Sequence, residues 1–96
     1  MVTVAVKDVS PEWCSNDDGQ RIYDVIEPIL LNDQPVTVSF KGVPSITTSF
    51  INSAFISLLD KVSFETIKLR LSIVDSNTHI NKLIKDRFAS AQTRAA

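Results

Sequence analysis

"VTVSFKGVPSITTSFINSAF", residues 36–55, changes its period halfway along. Val36, Val38 and Phe40 alternate with Thr37, Ser39 and Lys41, which predicts a half-buried strand over 36–41. Further on, Phe50, Ile51, Ala54, Phe55, Leu58, Leu59 and Val62 form two adjacent i, i+4 rows, the broad apolar stripe of a helix that covers a sheet. Between the two lies a turn crowded with hydroxyls: Ser45, Thr47, Thr48 and Ser49. Ser and Thr are preferred helix N-caps, so the turn reads first as the start of a helix near Ser49.

The same two periods recur on either side. Upstream, "VTVAVK" (2–7) alternates Val2, Val4 and Val6 with Thr3, Ala5 and Lys7, a first strand. A loop follows, marked by Pro11, Asn16 and the Asp18, Gly19 pair, with Trp13 as its apolar anchor. Ile22, Val25, Ile26, Ile29 and Leu30 then share one helical face between Gln20 and Leu31, and Pro28 predicts a kink or an early end near Glu27. Downstream, "TIKLRLSIV" (66–74) reads as a third strand that buries Ile67, Leu69, Leu71 and Ile73. "DSNTHINKLIKDRF" supplies cap residues ahead of Ile80, Leu83, Ile84 and Phe88, a last amphipathic helix.

A strand and a helix thus alternate three times, which predicts an α/β domain of βαβαβα order with a mainly parallel sheet. Strands covered on both faces read as unbroken apolar runs, whereas these alternate, so the helices are expected predominantly on one face. The other face would then hold Thr3, Ala5, Thr37, Ser39 and Ser72 together with the basic residues Lys7, Lys41, Lys68 and Arg70, and no acid.

Ninety-six residues suit one domain, taken here as 1–90 with 91–96 a frayed tail. At 44% hydrophobic and 22% charged the chain is expected to fold throughout, and a net charge of -1 argues against binding nucleic acid or anionic lipid by bulk charge. A lone cysteine, Cys14, forms no internal disulfide, and no apolar run approaches the roughly 20 residues that span a bilayer. With no signal-peptide pattern in "MVTVAVKDV", a cytoplasmic setting is expected.

A strand that ends in Gly42, Val43, Ile46 and runs through hydroxyls into a helix resembles the STAS domain family, which includes bacterial anti-sigma factor antagonists and cytoplasmic domains of sulfate transporters. In the antagonists this stretch reads roughly Gly-Val-x-x-Ile-Asp-Ser-Ser-Gly-Leu; Thr47, Thr48, Ser49, Phe50 and Ile51 stand in its last five positions. Residues 19–55 look more closely like a STAS-like family of unknown function whose helix starts Ser-Phe-aliphatic-Asn/Asp after an "F-x-G-V" strand end. The resemblance implies a small STAS-like domain, bacterial or phage-encoded, that regulates by binding a protein partner of the histidine-kinase-like ATPase family. It also implies Thr48 as counterpart of the antagonists' phosphorylated serine, with Ser49 next to it. The antagonists' aspartate is Thr47 here and their glycine is Phe50, so the two sequences diverge on both sides of the hydroxyls.

The expected partner surface is Thr47, Thr48, Ser49, Asn52, Ser53 and Ser57, polar positions off the apolar rows. A phosphate there would put a charge of about -1.5 to -2 beside unpaired backbone N–H groups, changing docking without unfolding the domain. Capping alone explains the same hydroxyls. Two alternatives stay open: a nucleic-acid-associated module that uses the basic sheet face, and a small-molecule sensor with its ligand beyond the strand ends. A homodimer is also open.

Enzyme chemistry is not expected. His79 and Cys14 lack the spacing of a metal or nucleophile pair, and two glycines cannot build a phosphate cradle. "NDDG" (16–19) lacks the later acids of a calcium loop, and Asp17, Asp18, Asp24 and Glu27 read as solvated charges. No metal and no cofactor is expected.

Overall fold

The computed structural model describes residues 2–95. Strand β1 (Val2–Ala5) is followed by a helical turn α1 (Val6–Val9) and helix α2 (Asn16–Leu31), then β2 (Val36–Ser39) and α3 (Thr48–Ala54). A 3-10 turn (Ile56–Asp60), α4 (Phe64–Arg70), β3 (Leu71–Val74) and α5 (Thr78–Ala95) complete the chain. All neighbouring strands are parallel, in the order β1-β2-β3. Helix α2 packs on α3, and α3 on α5, so the long helices share one layer. This is the expected βαβαβα architecture.

Val4, Val36, Val38 and Phe40 are buried together with Ile22, Ile26 and Leu30 of α2 and Phe50, Ile51 and Ala54 of α3. The apolar rows of 50–58 therefore cover the sheet as the periodicity predicts. Their helix is broken, however: α3 ends at Ala54, and Ser57 Oγ donates to the Asn52 carbonyl at 3.0 Å. A side-chain hydroxyl competes there for a carbonyl near the helix end. Pro28 stands inside α2, exposed, and the helix continues past Glu27 to Leu31, since Leu30 is buried only if the last turn stays helical.

Three strand expectations are corrected. β1 stops at Ala5, the residue paired with Ser39 at the end of β2, and Val6 turns inward as the buried residue of α1. All four residues of β2 are buried, Thr37 and Ser39 included, because the central strand is flanked on both sides by Thr3, Ser72, Ala5 and Val74. The third correction is the largest: 64–70 is helix, and only Leu71–Val74 is strand. β2 offers four pairing positions, which residues 71–74 fill; the chain before them satisfies its backbone hydrogen bonds within a helix instead. Ser63 caps that helix by accepting from Thr66 N at 3.2 Å, and Lys68 and Arg70 lie at its negative end. Leu69, expected in the core, is 84% exposed.

The last helix extends to Ala95, into the stretch expected to fray, and Ala96 lies outside the described residues. Asn77 caps it: its Oδ1 accepts from Ile80 N at 2.9 Å.

Candidate functional site

The hydroxyl-rich turn leaves the carboxyl end of β2 and is fixed from inside and from both sides. Val43 and Ile46 anchor it in the core, and Gly42 takes a φ of 80°, a left-handed conformation that suits glycine. On one flank Asn77 Nδ2 donates to the Pro44 carbonyl at 3.1 Å, which ties the turn to the start of α5. On the other, Thr47 Oγ1 donates to the Cys14 carbonyl at 2.8 Å and accepts from Phe50 N at 3.3 Å. Thr47 is thus the N-cap of α3, which begins at Thr48, one residue before the position read from the sequence.

The six residues expected to form a partner surface divide into two kinds. Thr48 and Ser49 are exposed in the first turn of α3, and among the described residues neither hydroxyl has a hydrogen-bond partner. The others hold the fold. Thr47 caps and tethers; Ser53 Oγ donates to Asn16 Oδ1 at 3.2 Å; Ser57 bonds the Asn52 carbonyl; and Arg87 Nε of α5 donates to Asn52 Oδ1 at 3.0 Å. Asn52, Ser53 and Ser57 are half-buried, and their polar groups are engaged within the chain. Nothing in the sequence pairs Asn52 with Arg87, 35 positions away.

The wall opposite the turn is the loop before α2. Trp13, half-buried, donates its Nε1–H to the Ser10 carbonyl at 3.0 Å, the anchoring role its position suggests. Between this loop and the turn lies a shallow cleft of about 270 Å³ walled by Trp13, Cys14, Ser45, Ile46 and Thr47. Asp18 sets the loop's course. Its Oδ2 accepts from the backbone N–H groups of Cys14 and Ser15, each at 3.2 Å, while Ser15 Oγ accepts from Asp18 N, a reciprocal capping box at the start of α2. Burial pushes the Asp18 carboxyl up, but the N–H donors of Cys14 and Ser15, the Ser15 side chain and the charge of Arg21 together outweigh it and hold the group below its ordinary value. "NDDG" is accordingly the first turn of α2. Gly19 there lies so close to α3 that a Cβ would stand 2.8 Å from Ser53 Cβ and run into the Phe50 carbonyl.

The basic sheet face does not exist. Lys7 lies on α1, Lys41 in the turn after β2, and Lys68 and Arg70 on α4, where the Arg70 guanidinium bonds the Asp33 carbonyl. The sheet face expected to be basic carries Thr3, Ala5, Thr37, Ser39, Ser72 and Val74, none of them charged. Alternation across a helix boundary had aligned residues that the helix turns apart.

Among the described residues, no group of three His, Cys, Asp or Glu could hold a metal ion, and no helix is long and apolar enough to cross a membrane. His79 is exposed in the first turn of α5, and no acid or imidazole hydrogen-bonds Thr48 or Ser49. Both hydroxyls are accessible from solvent.

No curated protein and no solved structure matches the chain. The model of one family does match, over residues 18–81, a span that runs from the capping aspartate of α2 through the hydroxyl turn to the first turn of α5. With a three-stranded parallel sheet and its helix layer in the same order, the chain belongs to the STAS-like domain family of unknown function, DUF4325.

Proposed function

We propose that the chain is a non-enzymatic regulatory module that docks a protein partner through the turn at 45–49, and that phosphorylation of Thr48 or Ser49 switches that docking. The observation that carries the reading is a contrast among neighbouring polar residues: Thr48 and Ser49 are exposed and unengaged on a backbone held at both flanks, whereas Thr47, Asn52, Ser53 and Ser57 are taken up by the fold. A phosphate on either free hydroxyl breaks no internal bond and adds about -1.5 to -2 of charge to a rigid surface. The docking surface is accordingly smaller than the six residues read from the sequence: Thr48 and Ser49, with exposed Ser45 and the Trp13 and Cys14 wall beside them. The partner that suits it, by likeness to the anti-sigma factor antagonists, is a histidine-kinase-like ATPase in the cytoplasm, where Cys14 stays a thiol.

Intact mass and phosphosite mapping of the protein from its native cells test the switch. A species carrying one phosphate on Thr48 or Ser49 is expected; a phosphate found only elsewhere refutes it. The Thr48→Glu, Ser49→Glu double variant should also retain its thermal stability while losing about tenfold in affinity for a co-purifying partner, a change of about 1.4 kcal/mol.

A further inference from the structure

A second surface lies away from the hydroxyl turn, at the β3 edge of the sheet. The Val74 carbonyl accepts from Phe40 N at 3.0 Å, so it faces β2. Alternate residues of a parallel strand turn their backbone groups to opposite sides, so Ser72 and Val74 bond β2 while Leu71 and Ile73 face outward. The Leu71 N–H is taken by the Ile67 carbonyl at the end of α4. The Leu71 carbonyl and both backbone groups of Ile73 remain, and no described strand lies beyond them. Their side chains are half-buried, whereas those of their register partners Val36 and Val38 are fully buried, so the helix layer stops short of this edge. Beside it, α4 and α5 leave a groove of about 530 Å³ walled in part by Phe64 and Phe88. Lys68 and Lys85, both exposed, border the groove from opposite helices, and no acid is among its described lining residues.

We infer that this edge takes up an extended segment of a protein partner as a fourth strand, its apolar residues alternating against the groove and flanked by acidic ones. The outward N–H and C=O groups of β3 are spaced for another extended backbone, which supplies both a donor and acceptors in the same register. Every second side chain of that segment continues the row of Leu71 and Ile73 and meets the apolar walls of the groove. The lysines supply the choice among strands: an open edge invites pairing with any chain, and two cations beside it favour acidic segments and repel basic ones. A second copy of this chain would bring its own Lys68 and Lys85 to the same interface, like charge against like, so the occupant is a different protein. The surface is independent of the turn at 45–49 and of the proposed phosphorylation switch.

Fluorescence anisotropy of a labelled, end-blocked peptide, Asp-Glu-Val-Thr-Val-Thr-Val-Glu-Asp, titrated with the full chain tests the assignment. One-to-one saturable binding that weakens with added salt is expected. Methylating the peptide's backbone nitrogens at alternate positions removes the donors of one strand edge at a time, and should abolish binding for one alternate set while sparing it for the other. Lys68→Glu with Lys85→Glu, both surface changes, should weaken the acidic peptide at least about tenfold with an unaltered melting temperature, and should bind instead the counterpart peptide with lysines in place of its acids. The Thr48→Glu, Ser49→Glu variant should bind the acidic peptide as the wild type does. Absence of saturable binding, the same response to both methylated sets, an affinity indifferent to the lysine changes, or loss of binding in the hydroxyl-turn variant would overturn the site. Self-association of the free chain through residues 71–74 would overturn it equally, by assigning the edge to a second copy.

Discussion

Residues 36–41 and 66–74 carry the same written pattern, apolar and polar in alternation, and the folded chain uses them differently. The first supplies β2 from its residues 36–39, all of them buried at the centre of the sheet. The second divides at Leu71, helix before and edge strand after. Alternation shows what a segment could bury as a strand; whether it is one depends on how many pairing positions its neighbour leaves. Here β2 leaves four, and the surplus residues coil into α4 under a Ser63 cap.

The sharpest way to break this contrast is a pair of alanine substitutions. Phe40→Ala removes a fully buried ring that packs 6.3 Å from Phe55 and should cost about 3–5 kcal/mol, whereas Leu69→Ala should change stability by less than about 0.5 kcal/mol in the same chemical denaturation. A Leu69→Ala cost of several kcal/mol would restore the nine-residue strand. Ser63→Ala comes next: loss of the α4 cap should cost about 1 kcal/mol, while a strand over 66–74 would leave Ser63 in a loop and its substitution without effect.

The smallest expected effect concerns pH. The Asp18 carboxyl sits below its ordinary value in the folded chain, so its contribution is fully present above the unfolded-state value of about 3.8 and is lost as pH falls through the folded-state value. Asp18→Asn should therefore flatten the fall in stability below roughly pH 4, as followed by urea midpoints across the acid range. If the variant and wild type fall in parallel, the capping box contributes nothing that titrates.

Most of the candidate site was legible because its signals are local. Hydroxyls before an apolar helical stripe specify a cap, and Trp13 in a polar loop specifies an anchor; both are found in place. What could not be read is which hydroxyls remain free. Thr47, Ser53 and Asn52 are engaged by Cys14, Asn16 and Arg87, partners 33 to 37 positions distant that leave no periodic mark. The basic face failed for a related reason: Lys68 and Arg70 share a face only in an extended chain, and α4 is not extended.

By itself the sequence determined the alternation of three strands with the main helices, the apolar rows that form the core and the cap-rich turn at 45–49, since each follows from periodicity or from a side chain bonding its own backbone neighbours. Tertiary structure alone decided where β3 begins, which hydroxyls stay exposed and that a groove opens between α4 and α5. Each of these depends on what a distant segment supplies or withholds: pairing positions, hydrogen-bond partners, or a further strand to cover an edge.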